Sequence, residues 1–144
     1  MTLTDSVEIA VEPPVIFGWF RDIEKNYKSW HPDHVGWTHV SGQFKEGALC
    51  HVEEYIHGSL HKMKAVYTRI IEDRTIEYEF GFPMSLICPG GTFDIRPANG
   101  KSIFTAMLRF RGGRLASWLF RSRMEAVKVH MREEGQNLKR ILEA

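Results

Sequence analysis

With 144 residues, 43% apolar and 26% charged side chains and a formal net charge of +1, the chain has the size and composition of one folded domain, 1–144, and lacks the basic excess of a nucleic-acid binder. Two cysteines, Cys50 and Cys88, exclude a disulfide framework. The lack of a long apolar run argues against a membrane partner, and the lack of a signal peptide points to the cytoplasm.

In chain order, Val7, Ile9 and Val11 alternate in the strand manner and stop at Glu12-Pro13-Pro14, where a proline can open a helix because it lacks only a donor the first turn leaves unpaired. The segment 15–23 fits a short amphipathic helix, and 26–30 a second one that must end before Pro32. Strand-like runs follow at 36–42, 48–58, 61–73 and 75–83, the last with Ile76, Tyr78, Phe80 and Phe82 on one face. Two more runs, 90–100 and 101–113, are joined by a hairpin signal at Ala98-Asn99-Gly100. Residues 114–144 read as one long helix despite Gly135, with Gly112-Gly113 before it. From Arg109 onward nine Lys/Arg face four Asp/Glu, a surplus that reads as a solvated helix face or as a field steering an anionic ligand. The order, one strand, two short helices, about six strands and a long C-terminal helix, describes an α+β domain whose antiparallel sheet is covered by the last helix.

That helix has a dry stripe of Val127, Met131, Leu138, Ile141 and Leu142 opposite a polar face of Arg121, Glu125, Lys128, Arg132, Gln136, Lys139 and Glu143. His130 and Glu134 fall on the dry side, one turn apart, where a carboxylate needs a partner or a metal. The plain alternative is that they pair only with each other. In the strand at 48–58, Cys50, Val52, Glu54 and Ile56 share the inward face, unless the register slips by one and puts Glu53 inside. The Trp30–Val35 turn offers His31, Asp33 and His34. One of its histidines with Glu54, His130 and Glu134 makes a two-imidazole, two-carboxylate set suited to zinc or another divalent first-row ion. Asp33 could orient a ligand imidazole or simply close the turn. His39, His51, His57 and His61 read as exposed, and Trp19, Trp30, Trp37 and Trp118 as core or pocket lining.

The element order and the opening "VEIAVEPPVIFGWF" resemble the START/Bet v 1-like (SRPBCC) helix-grip superfamily, which implies a deep pocket between sheet and last helix. "YKSWHPDHV", the inward Glu54 and "HMREE" further resemble the zinc-dependent diacetylphloroglucinol/phloretin hydrolases. That resemblance implies zinc held by His34, Glu54, His130 and Glu134, with His34 matching better than His31, and Tyr27 as the one carried-over substrate-site residue. It implies hydrolysis of a carbon–carbon bond in a small, hydrophobic acyl-phenol. The chain is shorter than those hydrolases and its His34-to-Glu54 interval tighter, so the metal set carries over more directly than the substrate. The alternatives are a non-enzymatic carrier of a small hydrophobic or aromatic ligand, and a metal-free polyketide cyclase or dehydratase using the same groups as acid and base. A homodimer is the one protein partner left open.

Overall fold

The structure, a computed structural model, describes residues 1–119 and 121–144. Its strands are β1 (Thr2–Ile9), β2 (His34–His39), β3 (Leu49–Ile56), β4 (Ser59–Ile71), β5 (Thr75–Phe80), β6 (Gly90–Ala98) and β7 (Lys101–Arg109). They form one antiparallel sheet in the order β1-β7-β6-β5-β4-β3-β2, so every neighbour in sequence from β2 to β7 is a neighbour in space, and β1 closes against β7. Helices α1 (Pro13–Arg21) and α2 (Ile23–Trp30) fill the connection from β1 to β2; α3 (Arg114–Leu119) and α4 (Arg121–Glu143) follow the sheet. No helix among the described residues is long and apolar enough to cross a membrane.

Local chemistry accounts for the boundaries. Pro13 and Pro14 occupy the first positions of α1, which buries Ile16, Phe17, Trp19 and Phe20. Helix α2 stops at Trp30 because Pro32 pushes His31 out of the helical region, and His31 is extended at φ −155°, ψ 143°. Asn99 and Gly100 both take positive φ, 52° and 80°, the two-residue turn the sequence signals between β6 and β7.

The core is aromatic. Phe20 stacks on Phe93 and Phe104, while Trp30 meets Trp19 and Phe20 edge-on. Helix α4 buries Met131, Gly135 and Leu138 against β1 and keeps its polar stripe in solvent, as the helical periodicity requires. Gly135 is there for proximity: a Cβ at this position would sit 3.0 Å from Asp5 Oδ2 and 3.5 Å from a Val7 methyl. Gly135→Leu is therefore expected to destabilise the fold by about 1–3 kcal/mol, read as a lowered melting temperature by circular dichroism.

Four sequence expectations are corrected or fall outside view. Phe82 lies beyond β5 and is exposed, because the strand ends at Phe80. Trp118 is exposed on α3 rather than in the core. His39 is buried, not exposed: its Nε2 is 2.8 Å from the Tyr67 hydroxyl and its Nδ1 3.0 Å from Glu24 Oε1, partners distant in sequence that no strand alternation reveals. The continuity of one helix over 114–144 passes through residue 120 and lies outside the described residues.

Candidate functional site

Between the sheet and α4 lies a cavity of about 910 Å³, lined by apolar groups such as Trp37, Val52, Met63, Phe93 and Met131. Polar groups gather on one wall: Tyr27, Glu54, His130 and Glu134. Directly behind them His34 is fully enclosed. The expected inward face of β3 is the observed one, since Glu54 lines the cavity while Glu53 does not.

Three elements bring the cluster together. The turn after α2 delivers His34 opposite Glu54 in the β2–β3 ladder, and the register shifts immediately after that pair, between His34 and Gly36. Such an irregularity re-aims a side chain at the end of a strand. Helix α4 adds His130 and Glu134 from one face. Its position relative to the turn is fixed twice, by Trp30 Nε1 donating to the Glu134 carbonyl at 2.9 Å and by Asn137 Nδ2 donating to the Trp30 carbonyl at 2.9 Å.

The side-chain atoms converge closely. His34 Nε2 is 2.9 Å from Glu134 Oε2 and 3.7 Å from Glu54 Oε2; His130 Nε2 is 3.4 Å and 3.6 Å from the same two oxygens. His31, by contrast, is turned away from the carboxylate pair. Its Nδ1 accepts the Asp33 backbone N–H at 3.0 Å, which puts the proton of the neutral ring on Nε2, 3.6 Å from Glu133. His34 is in the opposite tautomer: Nδ1–H donates to the Tyr27 carbonyl at 2.9 Å, leaving the Nε2 lone pair aimed into the cluster. A backbone carbonyl behind an imidazole is also how metal-binding histidines are oriented. Asp33 stands 3.7 Å from His130 Nδ1, near the place the sequence offered it beside a site imidazole.

The electrostatics split the four groups. Burial and then the Glu134 carboxylate push Glu54 up to about 7. Burial acts in the same sense on Glu134, but the hydrogen bond and charge of His130, one turn away, outweigh it and hold it at about 2. Burial opposes charging His130, yet Glu134, Glu54 and Asp33 prevail and raise it to about 9. Burial, then the Glu54 and Glu134 carboxylates, drives the Tyr27 hydroxyl well above its ordinary value, so it stays a donor. Tyr27 also stacks on His34, ring centres 3.9 Å apart and planes 5° from parallel.

Sequence reading missed Asp5, which lies among the inward positions of β1 with Leu3, Val7 and Ile9 and comes under Gly135; burial raises its carboxyl. Extending the strand alternation toward the N-terminus would have found it. Cys50 lies buried in the core rather than on the cavity wall.

A curved antiparallel sheet gripping a long helix over an apolar cavity defines a helix-grip protein of the Bet v 1-like class. The chain belongs to the polyketide cyclase/dehydrase and lipid transport family, whose pattern it matches over residues 1–143. No curated protein sequence matches it. Among solved structures it is similar to the KanY protein (TM-score 0.79, 16% identity, covering 100% of this chain and 98% of that one). It is also similar to the Zhui aromatase/cyclase from Streptomyces sp. R1128 (0.76, 11%, 99% and 93%) and to Ara h 8.0201 (0.73, 18%, 99% and 97%). The match is to this family rather than to the zinc hydrolases that the histidine and glutamate motifs resemble.

Proposed function

We propose that the chain takes a small, largely apolar, carbonyl-bearing aromatic or polyketide-like compound into the cavity and cyclises or dehydrates it by acid–base catalysis. The carrying observation is the pairing of opposite roles on one cavity wall. Glu54, poised near neutrality, and His130, held as imidazolium, both face the guest, with Glu134 ionised beside His130. Similarity to an aromatase/cyclase fold supports the same reading.

In an aldol closure, ionised Glu54 removes a proton from the carbon next to a carbonyl. The resulting enolate carbon attacks a second carbonyl, and the oxygen of that carbonyl takes a proton from His130. Dehydration then runs with the roles exchanged: neutral His130 takes a second carbon-bound proton and protonated Glu54 gives its proton to the hydroxyl, which departs as water and leaves both groups as they began. The Tyr27 hydroxyl, kept protonated, donates to the enolate oxygen. His34 stands behind, its Nε2 2.9 Å from Glu134 and 3.7 Å from Glu54.

Titration with naphthyl and anthraquinone ketones, read by quenching of the cavity-lining Trp30 and Trp37, is expected to saturate at one ligand per chain. A cavity-filling Val52→Trp variant is expected to lose that binding. No saturable binding across such a set, or unchanged binding in Val52→Trp, overturns the reading.

A second reading is carried by the spacing of the donor atoms. Four ligands at ordinary zinc distances stand roughly 3.3–3.5 Å from one another in a tetrahedron. His34, His130 and Glu134 offer ligand atoms all within 4.8 Å of one another, with imidazole–carboxylate separations of 2.9 and 3.4 Å, and Glu54, outside that group of three, stands 3.7 and 3.6 Å from the two imidazoles. The Nε2 of His34 has no hydrogen-bond partner although Glu134 lies 2.9 Å away, the arrangement of two donors that point at a shared cation rather than at each other. His34, Glu54, His130 and Glu134 would hold zinc or a similar ion, which would polarise a bound carbonyl or acidify a water for hydrolysis of an acyl–ring bond.

Thermal melting against pH separates the two. His130 has its pKa raised from 6.5 to about 9, so the stability its charge contributes is complete below 6.5 and lost as pH climbs through 9. Glu54 acts in the same sense: with its carboxyl raised from 4.5 to about 7, ionising it in the fold penalises stability as pH rises through that range. His31 and His39 are shifted down, so their titration is over below 6.5. A metal-free chain is thus expected to melt lower at pH 9 than at pH 7, by on the order of 5 °C. A metal-loaded chain needs neutral imidazoles and ionised carboxylates, so it shows no such fall and is destabilised by chelator at pH 7. Elemental analysis of protein purified without added metal gives the independent check.

A further inference from the structure

We propose that the mouth of the cavity docks on an anionic lipid surface. The six most exposed large apolar side chains among the described residues are Phe82, Leu86, Ile87, Leu115, Trp118 and Leu119, at 58–77%. All six lie in two segments, the β5–β6 connection and α3. A scattered distribution would need no explanation, but a concentration at one place does.

The β5–β6 connection is bonded to the residues that lead into α3, and both line the cavity. Arg111 N–H donates to the Ile87 carbonyl at 2.8 Å and Arg111 Nε to the Ser85 carbonyl at 2.9 Å. Leu86, Ile87, Arg111, Gly112 and Arg123 all line the cavity. Helix α3 begins three residues after Arg111.

Charge along these segments of the chain has one sign. Between Asp94 and Glu125 the chain contains no carboxylate, and Arg109, Arg111, Arg114, Arg121 and Arg123 all fall there; residues 80–93 carry no charged side chain. Arginines attract anionic headgroups, aliphatic chains enter the acyl boundary, and a tryptophan is suited to the interface between them. A soluble partner would have to cover projecting side chains and also supply the negative charge; a bilayer of anionic lipid does both without a shaped pocket. A hydrophobic guest would then pass between bilayer and cavity without crossing water. The docking does not depend on the chemistry proposed for the cluster, and it is compatible with the absence of a spanning helix among the described residues.

The test uses the whole chain with phosphatidylcholine vesicles, with and without about one-third phosphatidylserine. Trp19, Trp30 and Trp37 are buried, so a blue shift of tryptophan emission on adding vesicles reports Trp118. The expected result is co-sedimentation and a blue shift only with phosphatidylserine, weakened by salt. Arg114→Glu with Arg121→Glu is expected to reduce partitioning roughly tenfold or more. Trp118→Asp with Leu119→Asp is expected to do the same by losing apolar insertion, and both pairs are solvent-facing substitutions whose folding is checked by an unchanged melting temperature. Absence of vesicle binding overturns the proposal. So does equal binding to neutral vesicles that the arginine variant does not alter. Concentration-dependent self-association that the Asp variant abolishes, without vesicle binding, would make the patch a contact between two copies and would also overturn it.

Discussion

Glu54→Gln is expected to lower turnover about 10²–10⁴-fold while leaving ligand affinity within a few-fold. The amide is nearly the same shape as the carboxyl group, so the space for the guest is retained. What is lost is a carboxyl that faces the cavity and exchanges its proton near neutrality. The wild-type rate should follow a bell: it rises as Glu54 ionises through about 7 and falls as His130 loses its proton near 9. The rising limb should vanish in Glu54→Gln, and steady-state rates from pH 5 to 10 measure both limbs. If affinity and turnover fall together, Glu54 holds the guest rather than moving a proton. Because His130 is tied to Glu134, Glu134→Gln is expected to pull the falling limb toward neutral pH.

Trp30→Ala is expected to cost about 3–5 kcal/mol, a large part of the stability of a domain this size. Trp30 is 1% exposed and its ring meets Trp19, Phe20, Tyr27, Phe93 and His34. Its indole N–H also bonds the Glu134 carbonyl, so the substitution opens a void and unfastens the turn from α4 together. A fall in melting temperature on the order of 10 °C is expected. Trp30→Phe keeps much of the packing and should recover most of that fall, losing only the hydrogen bond, about 1 kcal/mol. Equal losses in the two variants would assign the effect to the N–H rather than to the ring.

The site was legible where a side chain stood against the pattern of its own element. Glu54 interrupts an apolar strand face, and His130 and Glu134 interrupt an apolar helix stripe, so period alone marks them. The choice between His31 and His34 was not legible from spacing, because both lie in the same short turn. It depends on which backbone group meets each Nδ1, a carbonyl for His34 and an N–H for His31. His39 was misread for a related reason: its partners Glu24 and Tyr67 come from α2 and β4. Phe82 and Trp118 were misread because apolar character was taken to mean burial, and at the rim these side chains face outward. The strand order followed from the hairpins, whereas the closure of β1 on β7 joins residues about a hundred positions apart and has no local signature.

The ties between α4 and the rest of the fold have a mechanical corollary. Glu134 and Asn137 are bonded to Trp30, Gly135 nests against Asp5 and Val7, Lys139 Nζ donates to the Glu8 carbonyl, and Glu143 accepts the Ala10 N–H. All of these fall in the second half of the helix, while residues 121–129 include only Met124 and Val127 among partly buried positions. Among the described residues the ties of α4 thus gather toward its C-terminal half, like the fixed end of a cantilever, and begin at Glu134 beside the His130–Glu134 pair. The spacing of the His130–Glu134 pair to the turn carrying His34 is therefore set by the same clamp that holds the helix on β1 and Trp30.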